Sequence, residues 1–365
     1  MIVLGIHAAF SGTTHDPGAC IVVNGVVVAA IEEERLNRIK TSTSFFPSRS
    51  VQRCLEIAGV NIRQVDLVAS DGITHPTLEK KIARCLYDSF GFSPPINLID
   101  HSTLHVLGSF LSSGFESALS ISVDGYGDGL ATRVSTFEFD DEGVVSKDLY
   151  VSPPELSLGA FYTAFTNYLG FRSIEGEYKV MGMAAYGQPK YDLKDFIAFD
   201  LDVGGLVCNT REPVHHNDYY SSIIEPSYNA DLIYEYTGVH RPVHCKGRFE
   251  SQHFDLAASV QKAFLDAYFG LVSYWRNKTG VTENLCLSGG CALNCLANKE
   301  FLRVFDSTKI FVMPASSDRG LPLGAALAAS KSLSEKVVQD SQCTPVSPWH
   351  MSHFNNAKIF RLHNL

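Results

Sequence analysis

The stretch Ile99 to Gly129, IDHSTLHVLGSFLSSGFESALSISVDGYGDG, sets a helical segment carrying two histidines beside a hydrophobic strand and a glycine-rich acidic turn. His101 and His105 stand four residues apart, close to one helical turn, so both imidazoles fall on one face and can share a metal ion. The plainer reading is a pair of exposed or hydrogen-bonded histidines, since this spacing arises by chance in many helices. Ala118 to Val123 reads as a buried strand. Asp124-Gly125-Tyr126-Gly127-Asp128-Gly129 follows it, where glycines let backbone amides approach an anion and carboxylates can hold its counter-cation. That order points to a metal site beside a phosphate site.

Working outward, the strands and helices fall into two similar halves. Ile2 to Ala9, Ala19 to Val23 and Val26 to Ile31, the last two joined by Asn24-Gly25, read as an antiparallel meander. A helix over SRSVQRCLEIAGV, a strand at DLVAS, a helix from Leu78 to Phe90, a strand at INLID and the histidine helix follow. Leu119 to Val123, Ala131 to Phe139 and Val144 to Tyr150 repeat the meander, and LGAFYTAFTNYLG is an apolar helix. After an insert over about 171–253 come a helix from Phe254 to Thr279, the strand LCLSGG, a helix over ALNCLANKEFLRVF, the strand KIFVMPAS and the helix PLGAALAASKSL. Two copies of meander-then-alternation predict a duplicated α/β protein with lobes at 1–117 and 118–330, a cleft between them and a tail over 331–365.

Glycine-bearing loops occupy equivalent strand ends: Ser11 to Gly18, Asp124 to Gly129, and Ser288-Gly289-Gly290. In actin, hexokinase and heat-shock ATPase folds such loops are the two phosphate loops and the adenosine loop, so a nucleotide is the expected ligand. The last loop also aims a helix N-terminus at the cleft. Each loop taken alone reads as a simple connection.

Composition sets the bounds. The 365 residues are 45% hydrophobic and 19% charged, with mean hydropathy +0.03, enough for full cores in an ordinary water-soluble composition. No run of roughly 18 apolar residues occurs, and MIVLGIHAAFSG lacks a basic leader segment, so neither a membrane span nor a secretion signal is read and the cytoplasm is the expected compartment. Nine cysteines without a CxxC spacing read as reduced core thiols. The net charge of −9 argues against a broad nucleic-acid surface.

Six motifs, in order, resemble the O-carbamoyltransferases of nodulation-factor and antibiotic biosynthesis, the group of the tobramycin, cephalosporin and novobiocin carbamoylating enzymes. They are HDPGACIVVNGVVVAAIEEERLNRIK (His15 to Lys40), the HxxxH of His101 and His105, VDGYGDG, EGEYKVMGMAAYG (Glu175 to Gly187), LSGGCALNCLANKEF (Leu287 to Phe301) and SSDRGLPLGAALAA (Ser316 to Ala329). The resemblance implies a lobe pair related to the proteins that make threonylcarbamoyladenosine in tRNA, with an iron-type divalent ion, Fe(II), on His101, His105 and Asp318. The alternative for Asp318 is an N-cap of the next helix. It implies that carbamoyl phosphate and ATP give carbamoyl adenylate, whose carbamoyl group passes to a hydroxyl of a small-molecule or sugar acceptor. Asp16 is the candidate base in that transfer, with His15 beside it, and Lys40 and Arg38 would steady the acceptor or an anionic ligand, a solvated charge run being the simpler reading of that stretch. Lys179 and Gly182, with Met181, are expected at the nucleotide, Gly289, Gly290 and Asn294 on its adenosine side, Asp124 with Gly125 on the phosphate and metal side, and Gly127 at the phosphates.

The family's usual chain carries a further domain that makes the adenylate, for which SQCTPVSPWHMSHFNNAKIFRLHNL leaves no room. The expectation is therefore a transfer domain supplied by a separate adenylate-forming domain or subunit. Two other readings stand beside it: a relative of the tRNA-modifying threonylcarbamoyl transferases, which the acidic surface helps little, and a catalytically silent nucleotide- or metal-binding partner. The acceptor site is expected within residues 188–250.

Overall fold

In the computed structural model, which describes residues 1–10, 14–141, 143–215, 228–242, 249–334 and 338–340, the opening meander consists of β1 (Ile2–His7), β2 (Gly18–Val23) and β3 (Val26–Glu32). Asn24 and Gly25 close its hairpin with φ of 50° and 80°, the positive pair a tight β-turn of this hand requires. The chain continues through α1 (Glu33–Asn37), α2 (Ser48–Ala58), β4 (Leu67–Ser70), α3 (Leu78–Phe90), β5 (Ile96–Leu98) and α4 (His101–Ser113). The glycines after α2, α3 and α4 all take the left-handed conformation that ends a helix. β4 and β5 add in parallel, giving the order β3-β2-β1-β4-β5.

The second half starts with the meander β6 (Ser117–Gly127), β7 (Leu130–Asp140) and β8 (Gly143–Ser152), then α5 (Leu158–Tyr168). The segment expected as an insert carries α6 (Glu177–Ala184), the small hairpin β9 (Ala198–Asp200) and β10 (Gly205–Val207), and α7 (Ala230–Thr237). Residues 216–227 and 243–248, part of the expected acceptor region, lie outside the described residues. Then come α8 (Ser251–Thr279), β11 (Asn284–Ser288), α9 (Cys295–Val304), β12 (Lys309–Val312), α10 (Leu321–Ser334) and β13 (Val338–Asp340). The sheet runs β12-β11-β6-β7-β8-β13, so read from β8 it repeats the order of the first sheet. The duplication read from strand pattern is therefore present in the topology. β13, which extends β8 in parallel, has no counterpart in the first sheet; most of 331–365 lies outside the described residues.

Equivalent helices α4 and α10 form the layer between the two sheets. One apolar cluster joins Val3, Cys20 and Val22 of the first sheet, Leu104 and Phe110 of α4, Ala325 and Ala329 of α10, and Ala118 and Cys286 of the second sheet. Although α10 follows the second half in sequence, it packs directly on β1 of the first: a Cβ at Gly5 would come within 1.9 Å of the Pro322 carbonyl oxygen. The two helices cross at glycine, with a Cβ at Gly108 falling 2.7 Å from Gly324 Cα and one at Gly324 falling 2.6 Å from the Leu104 carbonyl oxygen. Those obstacles are backbone, which cannot swing aside.

Gly108→Val is expected to force α4 from α10 and cost about 1–3 kcal/mol of stability, the usual range for overpacking a close-packed interior. Denaturant unfolding checks this, and an unchanged midpoint would show that the crossing has slack.

Candidate metal centre

α4 begins where Asp100 caps it, the carboxylate accepting from the Thr103 amide at 2.8 Å. Arg133 holds Asp100 at 3.1 Å. This puts His101 in the first turn, and the helix, buried on nearly every side as far as Phe110, buries His101 and His105, which are 5% and 4% exposed. Asp128 locks the surroundings. Its carboxylate accepts from the backbone amides of Gly72, Ile73, Thr74 and His101 at 2.9–3.2 Å, tying the end of β4, the end of β6 and the start of α4 together.

Four side chains then meet. His101 Nε2 and His105 Nε2 are 3.2 Å apart, and they stand 3.3 and 3.5 Å from Asp124 Oδ2 and 3.6 and 3.7 Å from Asp318 Oδ1. One ligand atom from each of the four residues lies within 4.8 Å of the others. Two imidazole nitrogens and two carboxylate oxygens, withdrawn from water, form a donor set suited to a first-row divalent cation. Asp124, expected on the phosphate and metal side, joins the three residues expected to hold the ion. Asp318 opens a short 3-10 turn, Asp318–Gly320, that leads into α10, and its carboxylate turns into the cluster.

The charges are mutually supporting. Burial works against ionisation of Asp124 and Asp318, yet the neighbouring imidazoles hold both carboxyls below the usual carboxylate range. Burial likewise opposes protonation of His101 and His105, and the surrounding aspartates still raise both imidazoles above their ordinary value. In the absence of a cation the cluster is thus balanced by protons.

A cavity of about 190 Å³ opens over the cluster, with His15, Asp16, Asp124, Gly125, Gly290, Asn294, Asp318 and Arg319 among its walls. Aromatic and apolar side chains, including Tyr162, Phe264 and Met181, complete it. Asp16 is 4% exposed, with φ of 58°. Its carboxylate meets His15 Nδ1 at 3.1 Å and Arg319 Nη2 at 3.1 Å. Burial raises its pKa and these two partners outweigh that, holding it below the carboxylate range. Burial lowers the His15 imidazole, but Asp318, Asp16 and Asp124 push it up to about 9.

Other expected residues lie elsewhere or serve the frame. Lys40 is exposed and pairs with Glu175 at 3.4 Å rather than lining the cavity. Lys179 and Gly182 are exposed on α6, with Lys179 Nζ 5.5 Å from the Phe171 ring centre, because that face of the helix turns outward while Val180 and Met183 bury the other. Gly127 packs on His101: a Cβ there would be 2.2 Å from its ring. Gly289, at φ of 82°, lets its turn approach the Val123 carbonyl, where a Cβ would be 2.3 Å away. The Gly290 amide donates to Asp124 Oδ1 at 2.7 Å, so it steadies a cluster carboxylate. Asn294 caps α9 and exchanges amide hydrogen bonds with Gln261.

The sequence reading passed over His7, Asp71 and Arg319, and it took Asp128 as a loop carboxylate for a counter-cation rather than as the anchor of the surrounding backbone. His7 and Asp71 end adjacent parallel strands, a placement visible once β1 and β4 are paired. Asp128 belongs to the glycine turn, and Arg319 follows Asp318 directly; neither has a spacing that marks its partner.

Similarity to known proteins agrees with this geometry. Residues 74–327, which include all four cluster residues, match the family described as Carbamoyltransferase N-terminus. The chain is 33% identical over 350 residues to nodulation protein NolNO of Sinorhizobium fredii, an alignment covering 89% of this chain and 48% of that one. It is 36% identical over 239 residues to nodulation protein NolO of Bradyrhizobium diazoefficiens, covering 64% of this chain and 39% of that one. The chain therefore spans about half the length of the curated relatives it matches. Among solved structures, HypF of T. kodakarensis superposes with a TM-score of 0.52 at 12% identity, over 91% of this chain and 47% of that one, a likeness of fold. The architecture is the two-lobed actin/hexokinase/heat-shock-ATPase type, and the chain belongs to the carbamoyltransferase N-terminus family.

Proposed function

We propose that this chain carries the transfer half-reaction of a carbamoyltransferase, moving a carbamoyl group from carbamoyl adenylate to a hydroxyl of a small-molecule or sugar acceptor. The observation that supports this most is the His101–His105–Asp124–Asp318 cluster, whose Asp124 and Asp318 line a cavity beside it, inside the segment that matches the family. A divalent cation held there, iron(II) by the family resemblance, would polarise a phosphoryl oxygen of the adenylate as a Lewis acid.

The residues of the chain divide the remaining work. Gly290 donates its amide to Asp124 and keeps that carboxylate aimed at the cluster. His15 and Asp16 handle the proton: Asp16, held ionised by Arg319, orients His15 through Nδ1, and the neutral form of His15, whose pKa burial lowers but its aspartate neighbours raise to about 9, takes the proton of the acceptor hydroxyl as its oxygen attacks the carbamoyl carbon, so transfer should speed up as pH rises toward that value. This makes Asp16 the orienting partner rather than the base itself. The bond from the carbamoyl carbon to the phosphate oxygen breaks, and AMP leaves with the electron pair. Tyr162, Phe264 and Met181 keep the cavity poor in water, which protects the adenylate from hydrolysis.

With preformed carbamoyl adenylate, iron(II) and a panel of sugar and small-molecule alcohols, the wild-type chain is expected to release AMP together with a carbamoylated acceptor. His101→Ala should abolish this by removing a cluster ligand. His15→Gln and Asp16→Asn should slow it by about 100-fold or more, the scale of a lost proton-transfer group. Cation retention without transfer to any alcohol would favour the silent-partner reading.

Cation binding should tighten as pH rises. His101 and His105 must give up protons to bind through nitrogen, and their neighbouring carboxylates hold those protons above the ordinary imidazole value, so each displaced proton makes affinity climb about tenfold per pH unit until its imidazole is neutral. Calorimetry in buffers of different ionisation enthalpy counts the protons released; binding indifferent to pH would contradict ligation through these histidines.

A further inference from the structure

β1 and β4 pair in parallel with Ile6 opposite Ser70, so the next residue of each, His7 and Asp71, emerges side by side at the cleft. Neither belongs to the four-residue cluster, and both are buried, at 3% and 8% exposed. Asp71 divides its carboxylate between two imidazoles: Oδ1 lies 2.8 Å from His7 Nδ1 and Oδ2 lies 3.3 Å from His101 Nδ1. His7 Nε2 lies 2.9 Å from the backbone carbonyl oxygen of His15, an atom that can only accept.

We infer that Asp71 is the positioning residue of the cluster, holding His101 with Nδ1 as donor and Nε2 turned toward Asp124, Asp318 and His105, while His7 carries the same hydrogen-bonded chain to the cleft loop at His15. This rests on reading the cluster as a cation site. A neutral imidazole offers one lone pair, and the partner of one ring nitrogen decides which nitrogen carries it. A carboxylate can accept from two imidazole N–H groups at once, whereas an asparagine accepts through Oδ1 and must donate through Nδ2. Gly127 supplies the steric half of the arrangement, since a Cβ there would press on three atoms of the His101 ring at 2.2–2.5 Å. The ring plane is set by packing and its polarity by Asp71. Because His15 lines the cavity, the chain from His101 through Asp71 and His7 to the His15 carbonyl couples the ligand cluster to the loop that faces the reacting group.

The test uses cobalt(II) titration of the full chain, followed by visible absorption, with ¹⁵N NMR of the histidine rings. Asp71→Ala should bind cobalt(II) roughly 10–100-fold more weakly and with an altered absorption envelope, as loss of an outer-sphere partner does. Asp71→Asn keeps the shape of the site and guards against loss of folding; it should fall between Asp71→Ala and wild type. In cation-free wild type the His101 Nδ1 proton should exchange slowly with water, and the protection should disappear in Asp71→Ala. Wild-type affinity and spectrum in both variants, with binding lost in His101→Ala, would overturn the inference, as would rapid exchange of that proton in wild type. No cobalt uptake by wild type, with the Nδ1 proton still protected, would overturn the cation reading and leave Asp71 as the orienting partner of His101.

Discussion

The contact of Gly108 with Gly324 governs the geometry of everything around it. Two helices from opposite halves of the chain approach until a single Cβ would strike backbone, and this contact sets where their first turns lie. α4 begins with His101 and His105, and α10 begins just after Asp318. The close crossing therefore brings ligands more than 200 residues apart to within 4 Å of one another. Side chains larger than hydrogen at the crossing would separate the helices and, with them, the donor atoms.

Around that crossing, buried polar groups are arranged so that each satisfies another. Asp128 takes the amides of three successive loop residues and of His101; Asp124 takes the Gly290 amide and faces two imidazoles; Asp16 is shared by His15 and Arg319. Unpaired, each buried carboxylate would carry a large desolvation cost. Paired in this way, they become fixed negative charges around one point, and such a point attracts either protons or a cation.

Strand and helix positions were legible because local signals agreed. The Asn24-Gly25 turn, the helix-ending Gly59 and the alternation of apolar residues lie where the elements begin and end. His101, His105 and Asp318 could be named through the spacing of two histidines on one turn and the wording of the family motifs. Lys179 lies on the outer face of α6, which the motif alone does not reveal, because a motif marks a segment and does not say which face of its helix turns inward; here Val180 and Met183 take the interior. Gly127 reads as a phosphate-loop glycine and Gly289 as an adenosine-side one, yet the ring and backbone packed against them give a nearer reason for the absence of a side chain.

By itself the sequence determined the two meanders, the alternation after each, the family and the histidine pair, since periodicity, turn chemistry and motif wording are local properties of the chain. Tertiary structure alone decided that Asp71 and His7 stand behind His101, that Asp128 binds three loop amides, and that Asp16 is committed to Arg319. Those outcomes depend on which strand ends lie side by side and how closely two glycine-bearing helices cross. Such distances follow from packing between residues remote in the chain, and no local pattern encodes them.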